Sequence, residues 1–171
     1  MATLNVYCAG AAMAVMKQIA AKFESDTGHA IAAKFGAVGA MKAPVVAGEP
    51  ADVVVLTAAL IDELIAQGLC VAGSRVDLGK VGTGVAVRAG TPLPDVSDLR
   101  VLRGNLLAAT RVMFPDPAVA TAGKVVMAAL EKMGIAEELK SLLQFFPNGN
   151  AAMNDLAASN GLNEIGITQI T

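Results

Sequence analysis

Three times in this chain an apolar run is followed at once by a block of small, uncharged residues and then by a helix-forming stretch. The blocks are Gly10-Ala11-Ala12, Gly36-Ala37-Val38-Gly39-Ala40 and Ala120-Thr121-Ala122-Gly123. A repeated strand, tight turn and helix leaves few folds open, because parallel strands need helical crossovers and must be covered on both faces. A helix start also leaves backbone N–H groups unpaired and carries roughly half a positive charge. Small residues there let an oxyanion reach the backbone, so the pattern implies capture of an anion and not bond-breaking. Taken singly, each block also reads as a tight turn in which Gly and Ala are merely compact; the recurrence is what points to a ligand.

The rest of the chain extends this alternation. Leu4–Ala9 reads as a strand and Met13–Ser25 as a helix with Val15, Met16, Ile19 and Phe23 on one stripe, ended by Gly28. His29–Phe35 reads as a second strand, Gly39–Ala47 as a short helix strained by Pro44, Asp52–Leu56 as a buried strand, and Ala58–Gln67 as a helix stopped by Gly68. Ligands of such sheets bind beyond the carboxyl ends of the strands, where the first two blocks fall. The apolar run Val81–Arg88 marks the passage from a first lobe, residues 1–80, to a second, residues 81–171. There a turn-rich stretch, Ala89–Pro94, precedes helices predicted over Ser97–Ala109, Thr121–Met133, Ala136–Leu142 and Ala151–Ser159. Strands are predicted at Arg111–Phe114, Leu143–Phe146 and Glu164–Thr168. Two α/β lobes are expected to hold a ligand in the cleft between them.

Composition removes several function classes. The chain has 171 residues, 54% apolar and only 16% charged, which excludes a disordered tail and implies extensive buried sheet. A net charge of −2 with no Lys/Arg run gives no footprint for nucleic acid, and 4% aromatics without Trp gives no stacking platform. The longest uncharged apolar stretch, Val53–Ile61, falls far short of the roughly 20 residues of a membrane span. The strand-like start at Leu4 follows no basic and long apolar leader, so the expected location is cytoplasmic, or periplasmic if a leader was removed. Cys8 and Cys70 form no CxxC and read as reduced, buried thiols. His29 is the one histidine, which leaves no His-based metal cluster or Ser-His-Asp triad and reads as a strand-edge residue. Gly79–Gly84 reverses the dinucleotide-binding spacing, and Gly123-Lys124 lacks the rest of a phosphate loop. No cofactor or metal is expected.

Four segments carry a family resemblance: Leu4–Ala11, Phe35–Met41, Gly48–Val53, and Asp116-Pro117 followed by Ala122-Gly123. With Gly161–Gly166 late in the chain, they resemble periplasmic solute-binding proteins of the molybdate-binding type, in matching order over nearly the whole length. The resemblance implies a two-lobed, type 2 periplasmic-binding-protein-like α/β fold with mainly parallel sheets flanked by helices. It also implies a small anionic ligand and an ABC transporter permease as partner. Molybdate binders of this type present a serine hydroxyl from each of the first two turns and a tyrosine after the late Gly-Ile strand. Those places hold Ala11, Val38 and Gln169 here. Each donor lost from a buried polar ligand costs about 1–3 kcal/mol, so the expected ligand is an organic carboxylate and not molybdate. The expected ligand-binding residues are Gly10, Ala11, Ala12, Val38, Gly39 and Ala40 in the first lobe, with Thr121, Ala122, Thr168 and Gln169 in the second.

A branch of such sequences is similar to aconitate isomerases, which move a double bond in a tricarboxylate. That implies an alternative function class, with a positioned base and a shell that stabilises the anion. Candidates for the base are Tyr7, Cys8, Lys42 and Asp116. Each also has a structural reading: Tyr7 and Cys8 pack in a strand, Lys42 lies on a solvated helix face, and Asp116 before Pro117 makes a turn. A third class, a cytoplasmic ligand-sensing domain, would use the same cleft without a transporter. Proteins of the resembling family return to the first lobe after the second. With Thr171 as the last residue, the expectation is either that the sequence is part of a longer protein or that the first sheet lacks that segment and favours self-association.

Overall fold

The structure is a computed structural model describing residues 1–170; Thr171, which closes the second lobe in the sequence reading, lies outside the described residues. Two compact units divide the chain, Met1–Val81 and Gly82–Ile170.

The first unit contains β1 (Thr3–Ala9), a 3-10 turn (Gly10–Ala12), α1 (Met13–Thr27), β2 (Ala30–Gly36), α2 (Val38–Val46), β3 (Val53–Val55) and α3 (Ala58–Ala66). Its sheet runs β2-β1-β3, all parallel. The central strand is apolar on both sides, as a strand covered on both faces must be. Val6 and Cys8 pack with Met16 of α1, whereas Tyr7 packs with Val45 of α2 and Leu64 of α3. Gly28, at φ 69°, ends α1 in the left-handed conformation that favours glycine. Pro44 lies inside α2, which ends two residues later, so its missing N–H costs a helix already close to its last turn. Beyond α3 the chain runs without regular structure to the unit's end. Arg75 holds this stretch, its Nη1 donating to both carboxylate oxygens of Asp62 at 2.7 and 2.8 Å and its Nε to Asp77 at 2.9 Å.

The second unit contains β4 (Gly82–Ala86), α4 (Leu99–Leu107), β5 (Arg111–Pro115), α5 (Thr121–Lys132), α6 (Ala136–Leu139), β6 (Leu143–Phe146), α7 (Gly149–Ala158) and β7 (Glu164–Ile170). Strand order is β4-β7-β5-β6, with β4 antiparallel to β7 and the other pairs parallel. Val112, Phe114, Ile165 and Ile167 face a core completed by Leu106 of α4, Val126 and Leu130 of α5, and Leu139 of α6. The opposite face is covered by α7: a Cβ at Gly166 would meet Met153 and Leu156. The molecule is therefore α/β, with mainly parallel sheets flanked by helices.

Element boundaries move for identifiable reasons. The first helix of the second unit starts at Leu99, after Ser97, because the Asp98 carboxylate accepts the Arg100 N–H at 2.6 Å. The helix predicted over Ala151–Ser159 starts two residues earlier, where Asn148 Oδ1 accepts the Ala151 N–H at 2.9 Å. The last strand runs on to Ile170 because β4 pairs with it from Gly166 to that residue.

Candidate anion-binding site

In the first unit Ala9 stands opposite Gly36, so β1 and β2 deliver the chain to the same sheet edge. The first two small-residue blocks therefore adjoin: a Cβ at Gly10 would lie 3.6 Å from the Gly36 carbonyl oxygen. Among the described residues, no side chain caps the 3-10 turn, α1 or α2, and none of their first turns holds an acid. No side-chain carboxylate of these first turns therefore pairs with their N–H groups, although the Met13 N–H donates to the Gly10 carbonyl. Gly10 and Ala40 are exposed, while Ala11, Ala12, Val38 and Gly39 are half-buried. Gly36 has a separate packing role, since a Cβ there would press on Met41 Cε at 2.9 Å. The same edge carries a helix start that the sequence reading did not single out. Thr57 precedes α3, and its hydroxyl makes no capping bond. The signal was present, because Val53–Leu56 followed by Thr57-Ala58-Ala59 repeats the strand, small residue and helix order.

In the second unit β5, β6 and β7 are parallel, so their carboxyl ends share an edge. The start of α5 follows β5; its N-cap Ala120 offers no side-chain cap, Thr121 is half-buried and Ala122 is buried. The start of α7, two residues before the predicted Ala151, follows β6. Thr168 and Gln169 come from the end of β7, where successive side chains point to opposite faces. Thr168 faces α7 so closely that a Cβ at Gly149 would overlap its Oγ1. Gln169 takes the face of Ile165 and Ile167, the one α5 covers. The four predicted residues thus reach one edge but divide between its two faces. Gly123 is explained by packing alone: a Cβ there would overlap the Pro115 carbonyl oxygen and lie 2.7 Å from Pro117 N.

The candidate bases are all occupied in holding the fold. Tyr7 Oη donates to Glu49 Oε2 at 2.7 Å and accepts from Lys34 Nζ at 3.1 Å, with the ammonium 4.9 Å from the ring centroid. Hydrogen bonds to Tyr7 and Glu49 hold the Lys34 ammonium above the usual lysine range, and Tyr7 and Lys34 hold the Glu49 carboxyl below its own. Cys8 is fully buried, donates to the Ala9 carbonyl at 3.4 Å, and is pushed by burial up to about 11, so at neutral pH it is a thiol and not a thiolate. Lys42 pairs with Glu63 at 2.5 Å, holding that carboxyl below its usual range. Asp116 Oδ1 accepts the Ala118 N–H at 2.8 Å, the turn role. Among the described residues no group of three His, Cys, Asp or Glu is placed to hold a metal, and no helix is long and apolar enough to cross a membrane.

Residues 4–171 match the family of bacterial extracellular solute-binding proteins. The chain belongs to that family. It is 35% identical over 121 residues to an aconitate isomerase from Pseudomonas, a match taking in 68% of this chain and 46% of that protein. It is 32% identical over 169 residues to a molybdate-binding protein of Azotobacter vinelandii, over 92% of this chain and 66% of that one. The chain thus spans from just under half to just under two thirds of the length of these curated relatives. Among solved structures, the periplasmic molybdate-binding protein of Azotobacter vinelandii superposes with a TM-score of 0.81 at 24% identity, over 97% of this chain and 71% of that one. A sulfate-binding protein from Mycobacterium tuberculosis gives 0.65 at 17% identity, over 99% and 64%. These solute-binding proteins share the fold.

Proposed function

We propose that this protein captures a small organic carboxylate on the backbone amides of its helix starts and delivers it, in the periplasm, to an ABC transporter permease. One observation carries this reading: the helix starts at Gly10–Ala12 and Val38–Ala40 adjoin, are uncapped, and offer no side-chain hydroxyl. Molybdate presents four oxygens to be satisfied, whereas a carboxylate presents two, which fits a site of amides without serines. The identity with an aconitate isomerase, whose name specifies a carboxylate, supports the ligand class.

The same identity supports a second reading, isomerisation of an unsaturated carboxylic acid. The engaged state of Tyr7, Cys8, Lys42 and Asp116 weighs for binding over turnover. Calorimetric titration with cis- and trans-aconitate, paired with chromatography of the incubated ligands, tests both. Saturable heat with unchanged ligand supports capture, interconversion supports the isomerase, and absence of both rules out aconitate as ligand and as substrate.

A further inference from the structure

Each of four arginines has a carboxylate partner: Arg75 with Asp62 and Asp77, Arg100 with Asp98, Arg103 with Glu138, and Arg111 with Asp155 and Glu164. The fifth, Arg88, has none among the described residues. It is half-buried; its Nη1 donates to the Ser159 carbonyl at 3.1 Å, and its Nε is buried without a hydrogen-bond partner. A guanidinium taken partly out of water without a counter-charge is costly, and it matches a carboxylate through two parallel N–H bonds. Arg88 also lines a cavity of about 340 Å³ with Thr91, Pro92, Leu162, Asn163 and Glu164.

We infer that this cavity is a second anion site, one that takes a small monocarboxylate with a hydrogen-bonding tail. It lies at the opposite edge of the second sheet from Thr168 and Gln169. Arg88 follows β4, which is antiparallel to β7, and Glu164 is the first residue of β7. The wall is fixed before any ligand arrives: Thr110 donates its N–H to the Asn163 carbonyl at 3.0 Å and its hydroxyl to the Leu162 carbonyl at 2.5 Å. Asn163 holds a φ of 53°, the one left-handed non-glycine among the described residues, and such conformations cluster at ligand clamps. Charge sets the ligand class. The Arg88 guanidinium attracts one carboxylate, while the Glu164 carboxylate in the same wall, bound to Arg111 at 3.2 Å, opposes a second negative charge. Pro92 and Leu162 suit a short carbon body, and Thr91 and Asn163 supply polar groups for a hydroxyl.

Titration of the full chain with lactate, followed by amide NMR shifts, tests the site. Gly90, Thr91, Leu162 and Asn163 are expected to shift together and saturate, with sulfate failing to compete. Arg88→Gln removes those shifts. Leu162→Trp, a change at a largely exposed side chain, crowds the cavity and weakens lactate at least tenfold even if the arginine variant fails to fold. Absence of saturable shifts at these four amides overturns the site, as does wild-type affinity in both variants. Equal competition by sulfate overturns the monocarboxylate class. Failure of the helix-start reading has a different signature: the amides of Gly39 and Ala40 stay still with every carboxylate tried, whatever happens around Arg88.

Discussion

Gly39 is half-buried in the first turn of α2, a helix start that no side chain caps. A β-branched residue there blocks anion approach, so Gly39→Val is expected to weaken carboxylate binding at least tenfold while costing roughly 1 kcal/mol of stability, the ordinary size of a surface or helix-terminus change. Calorimetry beside urea unfolding separates the two effects, and unchanged affinity would make the turn purely structural. Cys8 gives a pH prediction. Burial raises its thiol from 9.0 to about 11, so the neutral form is the one the fold tolerates. Its contribution is complete below pH 9 and is lost as pH rises toward 11. Urea unfolding of the wild type should therefore fall more steeply across that window than unfolding of Cys8→Ala, and parallel slopes would count against a buried thiol. Gly39 was legible in the sequence because a helix start follows from local residue type. The roles of Tyr7 and Lys42 were not, because Glu49 and Glu63 meet them only through contacts 42 and 21 residues away.

Elements were read well where one strand or helix carried its own pattern. Both faces of β1 are apolar, and Gly28 marks the end of α1 at a positive φ. The antiparallel placing of β4 was hidden, because direction within a sheet is decided by pairing with a distant partner, here β7 more than 80 residues on in round figures. The start of α7 was placed two residues late for a related reason: Asn148-Gly149 is a cap and a glycine, but the glycine's purpose appears only when Thr168 packs against it. Gly123 illustrates the converse, a residue read as part of an anion site whose constraint is close contact between α5 and the chain leaving β5. Gly123→Ala should destabilise by about 1–3 kcal/mol or more, the cost of overpacking against backbone that cannot swing aside. Thermal unfolding checks it: an unchanged melting temperature would mean that α5 has room to withdraw from Pro115.

For the molecule as a whole, the chain belongs to the bacterial extracellular solute-binding proteins, and under the proposed function the choice of anion turns on which donors the helix starts lack. Backbone amides at Gly10–Ala12 and Val38–Ala40 are indifferent to side-chain identity, so they persist where Ala11 and Val38 bring no hydroxyl. A four-oxygen anion held there would keep unsatisfied lone pairs at about 1–3 kcal/mol each, several times the thermal energy. A di- or tricarboxylate leaves no such deficit at the carboxylate it buries. Binding to the folded state alone adds about 2.7 kcal/mol of stability when the ligand is at 100 times its dissociation constant. For a chain of this size that shifts the melting temperature upward by roughly 5–11 °C. Thermal unfolding with citrate, aconitate, succinate, sulfate and molybdate should therefore rank at least one carboxylate above both inorganic oxyanions. A clear molybdate shift with none from the carboxylates would mean that amides alone suffice for the tetrahedral anion, and that the missing serines do not set the specificity of this site.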